Sequence, residues 1–173
     1  MFGYTKLTVK MANIMKLEEM LGWIGPFSTE EAVMTTAEAI AKMKQSRYSF
    51  VPMEYLKKSK SCIKPSDFPY VVWECVNNAA NRGNKGKNLP LAVRVHRGKQ
   101  GIVVEIEDSG DGIPAEQIEK LTGDNPNTDC LYEADGTQRG MGFYTLKTRL
   151  DTKTVNAIGF NEKRNAIYLM ALF

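Results

Sequence analysis

The sequence has no apolar run approaching the roughly 20 residues that cross a bilayer. Its start, MFGYTKLTVK, lacks the unbroken apolar stretch of a secretion signal, so a cytoplasmic location is expected and a membrane role is not. Cysteine is scarce: Cys62, Cys75 and Cys130 are an odd number at spacings that match no zinc signature, which points to reduced thiols. Charge of one sign is also missing. Lys and Arg number 23 against 20 Asp and Glu, for a net +3 with both signs interspersed, so there is no strong case for nucleic acid. What is present is 173 residues, 43% hydrophobic and 25% charged, the length and composition of one soluble domain with its own core.

The rest of the chain is organised around Val71–Gly83, VVWECVNNAANRG. Residues four apart on a helix share one side, so Glu74, Asn78 and Arg82 line up as a carboxylate, a carboxamide and a guanidinium while the other flank is apolar. Cys75 faces into the helix as a packing residue. The local basic cluster Arg82, Lys85, Lys87 sits beside this row.

Before that helix, Tyr4–Met11 alternates as a strand does, and Met15–Trp23 suits a short helix ending near Gly25-Pro26. Ser28 with Glu31 forms a capping box for a second helix, with Val33, Ala37, Ile40 and Ala41 at core spacing. Ser46–Met53 reads as a weak strand and Glu54–Ser61 as a basic helical turn. Pro65 and Pro69 set the entry to the central helix, with Ser66 or Asp67 as its cap.

After Gly83 and a polar loop, a hairpin can be read in register. A turn at Gly98–Gly101 pairs Arg97 with Ile102, Val95 with Val104, Arg94 with Glu105 and Val93 with Ile106. Leu91, Val93, Val95, Val104 and Ile106 form the buried face, and Arg94 and Glu105 make an exposed cross-strand ion pair on the other. The same alternation points Asp108 from the strand's end toward the buried layer. A carboxylate there needs hydrogen-bond donors. Either it belongs to a plain Asp-Gly turn, or its donor is a ligand. Gly110 and Gly112, just before Ile113, permit close approach of a ligand to the backbone.

Ile113–Asp135 holds a short helix around Ala115–Leu121 and then a long polar connection of the kind that serves as a lid. Gly136-Thr137-Gln138-Arg139-Gly140-Met141-Gly142-Phe143 follows and runs into a helix with Phe143, Leu146 and Leu150 at core spacing; a glycine-rich loop opening a helix suits phosphate oxygens. Strand-like Thr154–Phe160 and Ala166–Leu172 close the chain around a turn at Asn161–Asn165.

Taken together, Glu74-x-x-x-Asn78-Ala79-x-x-Arg82-Gly83, Asp108-x-Gly110-x-Gly112 and Gly140-x-Gly142 resemble the N, G1 and G2 boxes of the GHKL ATPases of gyrase, heat-shock chaperone, histidine kinase and mismatch-repair type. The resemblance spans residues ~50–173. It implies the Bergerat fold: an α/β two-layer sandwich whose mixed, mainly antiparallel sheet is covered on one face by helices, with ATP between the layers under a lid loop. It implies that Asp108 accepts from the adenine amino group, with Gly110, Gly112 and Ile113 shaping the base pocket. Asn78 would hold magnesium, and Glu74 would be the catalytic group acting on the nucleophile. Arg82, Arg139, Gly140, Met141, Gly142 and Phe143 would contact the phosphates. Where many kinase members have Gly-Thr opening the last strand, this chain has Asn165-Ala166. Residues 1–45 match no part of the pattern and are expected to form an extension on or beside a domain at 46–173.

The single histidine, His96, falls inside the hairpin on the side read as solvent-facing, so a self-phosphorylating histidine kinase is not expected. Arg139-Gly140-Met141-Gly142-Phe143 with Leu146, Leu150 and Asp151 is similar to the anti-sigma-factor serine kinases. That similarity implies a regulatory protein partner of sigma-factor or antagonist type, and a homodimer is open. The alternatives are a non-catalytic ATP-switched binding module and a histidine-kinase-like ATPase domain without its phospho-acceptor.

Overall fold

Nine residues with a capping pattern at one end need not be helix when a strand lies ready to pair with them. In the computed structural model, which describes residues 14–51, 67–122, 131–132, 138–139 and 155–173, the segment expected to begin the second helix is strand β1, Phe27–Thr35. It is antiparallel to β2, Pro90–Gly98, over its whole length. Ser-x-x-Glu recurs as Thr35-x-x-Glu38, and this later pair caps helix α2, Thr36–Gln45: the Thr35 hydroxyl accepts from the Glu38 N–H and Glu38 accepts from the Thr35 N–H at 2.7 Å. Ladder hydrogen bonds, and arginines on β2 for Glu30 and Glu31, win over local capping propensity. Val33, expected in a helical core, is therefore 63% exposed, and α2 buries Thr36, Ala39 and Met43 instead.

Helix α1, Leu17–Ile24, lies where the sequence places it. Residues 46–51 are not a strand. Their N–H groups close back on the end of α2, with Ser49 bonded to Ser46 and Val51 to Tyr48, while Phe50 and Val51 plug the core. The central helix α3 is Asp67–Asn78, and its last turn widens into a π-turn at Ala79–Gly83. Pro69 lies in its first turn, where no intrahelical partner is needed for its missing N–H. Strand β3, Gly101–Glu107, pairs with β2 in the register expected. Helix α4, Ala115–Thr122, follows, then the two-residue strands β4, Leu131–Tyr132, and β5, Gln138–Arg139, which pair with each other. Strands β6, Ala157–Phe160, and β7, Ala166–Leu172, complete a five-stranded sheet of order β1-β2-β3-β7-β6. Every described pairing is antiparallel. The expectations for Tyr4–Met11, Glu54–Ser61, Pro65, Ser66, Cys62, Cys130 and Gly140–Leu150 lie outside the described residues.

The front face of the sheet packs against α2 and α3. Val71, Val72, Cys75 and Val76 meet Val93, Val104, Ile106 and Leu169 in one apolar cluster. The back face is not bare. Met20 and Ile24 of α1 cover Val103, Tyr168 and Met170, forming a smaller second cluster. This added cover corrects two expectations. Glu105 is buried rather than exposed, and so is His96, at 6%. The His96 ring spans Thr29 Oγ1, 2.8 Å from Nδ1, and Glu105 Oε2, 3.1 Å from Nε2, with Phe27 edge-on beside it.

Candidate functional site

The register that buries Ile106 carries Asp108 onto the same face, just past the end of β3 and beyond the apolar cluster. There the C-terminal part of α3, the π-turn, the loop after β3 and the turn before β7 enclose a cavity of about 720 Å³. Asn78, Arg82, Asp108, Gly112 and Ile113 all line it, so five of the residues picked out from the sequence converge. Gly110 is not among the lining residues and packs against the Gly83 carbonyl. Glu74, one helical turn before Asn78 and half-buried, is not among the lining residues. Arg139 lies in β5, and Gly140, Met141, Gly142 and Phe143 lie outside the described residues.

The strand-end loop is held in place from two sides. The Asp108 N–H donates to the Asn165 carbonyl at 2.9 Å, and the Asn165 side chain donates back to the Asp108 carbonyl at 2.8 Å. Asn161 in turn accepts from the N–H groups of Asn165 and Ala166, and the Ile113 N–H donates to the Arg164 carbonyl. From the helix side comes Asn84, fully buried. Its oxygen accepts from the Ser109 N–H at 2.8 Å and its amide donates to Thr36 Oγ1 and to the Leu89 and Pro90 carbonyls. Three segments that are remote in sequence therefore meet on one side chain.

Glycines set the closeness of this packing. A Cβ on Gly83 would strike the Asp108 carboxylate, and one on Gly110 would strike the Gly83 carbonyl, so loop and π-turn touch backbone to backbone. Gly112, at φ 87°, occupies the left-handed region that side chains disfavour.

Asp108 is the chemically distinctive group here. Its Oδ1 accepts from the Gly110 N–H at 2.8 Å, and its other oxygen has no hydrogen-bond partner among the described residues. Burial pushes its carboxyl above the ordinary 3.8; the Gly110 hydrogen bond opposes that rise and the neighbouring Glu107 charge adds to it. An acceptor of this kind, held open in a cavity, suits an N–H donor on a ligand. At the mouth, Lys85 pairs with Asp111 at 3.0 Å, both well exposed, a contact of small energetic weight. Burial raises the Cys75 thiol to about 12, with the Glu74 charge adding to the rise, so the one cysteine in the lining is an inert packing group. Among the described residues no three His, Cys, Asp or Glu side chains cluster to hold a metal.

Asn84 and Asn165 are the supports that sequence reading missed as such. Asn84 carried one usable signal, an Asn directly after the helix-ending Gly83. Asn165 stood out only as a departure from the family pattern, which does not reveal that it holds Asp108.

Residues 64–164 match the family of histidine kinase-, DNA gyrase B- and HSP90-like ATPases. The chain is also similar to the sensor protein LytS of Staphylococcus saprophyticus, 24% identical over 123 residues. That alignment takes in 70% of this chain and 20% of the relative, so the chain spans about one fifth of that protein's length. Among the described residues no helix is long and apolar enough to cross a membrane.

Proposed function

The chain belongs to the family of histidine kinase-, DNA gyrase B- and HSP90-like ATPases, and from that premise we propose that it is a regulatory module that binds ATP in the cavity beside Asp108 and passes the γ-phosphate to a partner protein. The observation that carries the reading is the Asp108 carboxylate, half-buried, lining the cavity and retaining an acceptor that no group among the described residues uses. An ionised Asp108 accepts from the adenine amino group, a charge-assisted bond worth about 1.5–3 kcal/mol. Ile113 and Ile167 supply apolar walls for the base, and Arg82 faces the cavity as a phosphate contact.

The residues present fit a magnesium ion that brings most of its own ligands. Among the described residues the cavity offers the Asn78 carboxamide and no cluster of three carboxylates, which suits a cation that keeps water and phosphate oxygens around it. When bound there, it would neutralise charge on the transferring phosphoryl group. Glu74, a turn away on α3, takes the proton of the incoming hydroxyl as its oxygen bonds to phosphorus and ADP leaves. Arg139 and the Gly140–Phe143 segment complete the phosphate contacts in this reading. The acceptor is a Ser or Thr of an antagonist protein, as in the anti-sigma-factor kinases; the match to a family that includes histidine kinases adds a His of a separate partner as the other acceptor to try.

A second reading has ATP switch a partner interface without transfer. The absence of Glu74 from the cavity lining favours it. Labelled ATP incubated with the protein and candidate partners, with wild type beside Glu74→Ala, separates the two. Transfer that disappears in Glu74→Ala while ATP affinity stays supports the kinase. Tight binding with no transfer to any partner leaves only the switch, and absence of ATP binding defeats both.

A further inference from the structure

Strand β1 ends the sheet, and its outer edge has no strand partner among the described residues. It pairs with β2 one residue to one residue from Phe27 to Thr35, with no bulge to turn the edge away. Phe27 through Glu31 are exposed in an unbroken row, so both faces of this half of the strand, as well as its edge, stand in solvent. Edges are usually blunted by short length, proline, lysine or a bulge, and none of these is here. The two acidic side chains do not guard it either, because Glu30 is drawn inward to Arg97 and Glu31 to Arg94 on β2.

The exposed apolar side chains of β1 are Phe27 at 48% and Val33 at 63%, and strand alternation puts them on the same, back face. Faces are conserved across a continuous sheet, so β1 can meet a second β1 antiparallel only in registers that keep odd residues opposite odd ones. One of these, centred on Glu30, sets Phe27 opposite the partner's Val33 and Val33 opposite the partner's Phe27. Thr29 then faces the partner's Glu31, and the two Glu30 side chains meet at the two-fold, each held by its own Arg97. Moving the register by one allowed step sets Phe27 opposite Glu31 or Thr35 and breaks the apolar match.

We propose that the free edge of β1 is a pairing site for a second copy of this chain, in the Glu30-centred antiparallel register, joining two five-stranded sheets into one. A self-matching arrangement of this kind is what a two-fold dimer requires. The opposite edge of the sheet is already engaged, since the Met15 N–H bonds to the Ile158 carbonyl on β6, which leaves β1 as the edge offered to a second copy. Edge pairing over nine residues sits at the small end of interface sizes, below ~1,200 Å², so the dimer forms in a concentration-dependent way.

Light scattering of the purified chain over a concentration series reads the association, with Val33→Lys as the test variant and its melting curve as a folding control. Dimer formation that weakens at least about tenfold in Val33→Lys supports the proposal. Glu30→Cys, without reductant, should give a disulfide-linked dimer above the wild-type background, whereas Glu31→Cys should not, since residue 31 faces residue 29. A chain that stays monomeric throughout, a dimer indifferent to Val33→Lys, or crosslinking through Glu31→Cys in place of Glu30→Cys overturns it.

Discussion

Glu105 and Asp108 stand three positions apart on one strand and its extension, yet they answer opposite needs. Glu105 points to the back face, where Arg94 at 3.0 Å and His96 at 3.1 Å use both its oxygens. Burial works to raise it, but the His96 hydrogen bond and the Arg94 charge outweigh burial and hold it below the ordinary 4.5. Asp108 points to the front, keeps one backbone donor and is pushed upward. A buried acid with both oxygens used inside the protein is a structural tie. An acid with a single donor among the described residues, facing a cavity, is poised for a ligand.

The widest separation between the two should come from removing each. Asp108→Ala is expected to lower ATP affinity by about a hundredfold, within the range of a charge-assisted bond, with little change in melting. Titration calorimetry and a melting curve read both quantities. Glu105→Gln should do the reverse, lowering stability by about 2 kcal/mol in a denaturant titration while ATP affinity holds, because it weakens a buried tie that Arg94 and His96 share. If the two variants give the same profile, the contrast between the faces fails.

Acid sharpens the comparison further. A carboxyl with a raised value favours the fold while protonated, a contribution present below its ordinary 3.8 and lost as pH rises through the raised value. Glu105, held low, contributes stability above its ordinary 4.5 that is lost only as pH falls through its lowered value. ATP binding needs Asp108 ionised. Affinity should therefore decline with falling pH in a window above 3.8, while the back-face cluster and the fold persist. Calorimetry and circular dichroism over the same pH series check it, and simultaneous loss of binding and fold would contradict it.

Much of this contrast was legible in the sequence, because strand alternation is a strong constraint. The hairpin register of β2 and β3 came out residue for residue, and parity alone put Asp108 on the buried side. What parity could not supply was the cover on the other face. With α1 seen only as a short helix, nothing in the chain told that it would lie over Val103 and Tyr168 on the same side as Glu105 and His96. The start of α2 was missed because two equivalent capping patterns compete, and the choice between them lies in β2, some sixty residues away in the chain. Asn84 and Asn165 were hidden for a similar reason, since each acts by joining segments that meet only in the fold.

The central claim, that Asp108 reads an exocyclic amino group, is tested most directly by comparing ADP with the diphosphate of purine riboside, which lacks that group, in wild type and in Asp108→Asn. Wild type should favour ADP by roughly 10- to 100-fold, as loss of one charge-assisted hydrogen bond requires, and the variant should lose most of that preference. Equal affinities in wild type, or a preference that Asp108→Asn leaves untouched, would contradict it.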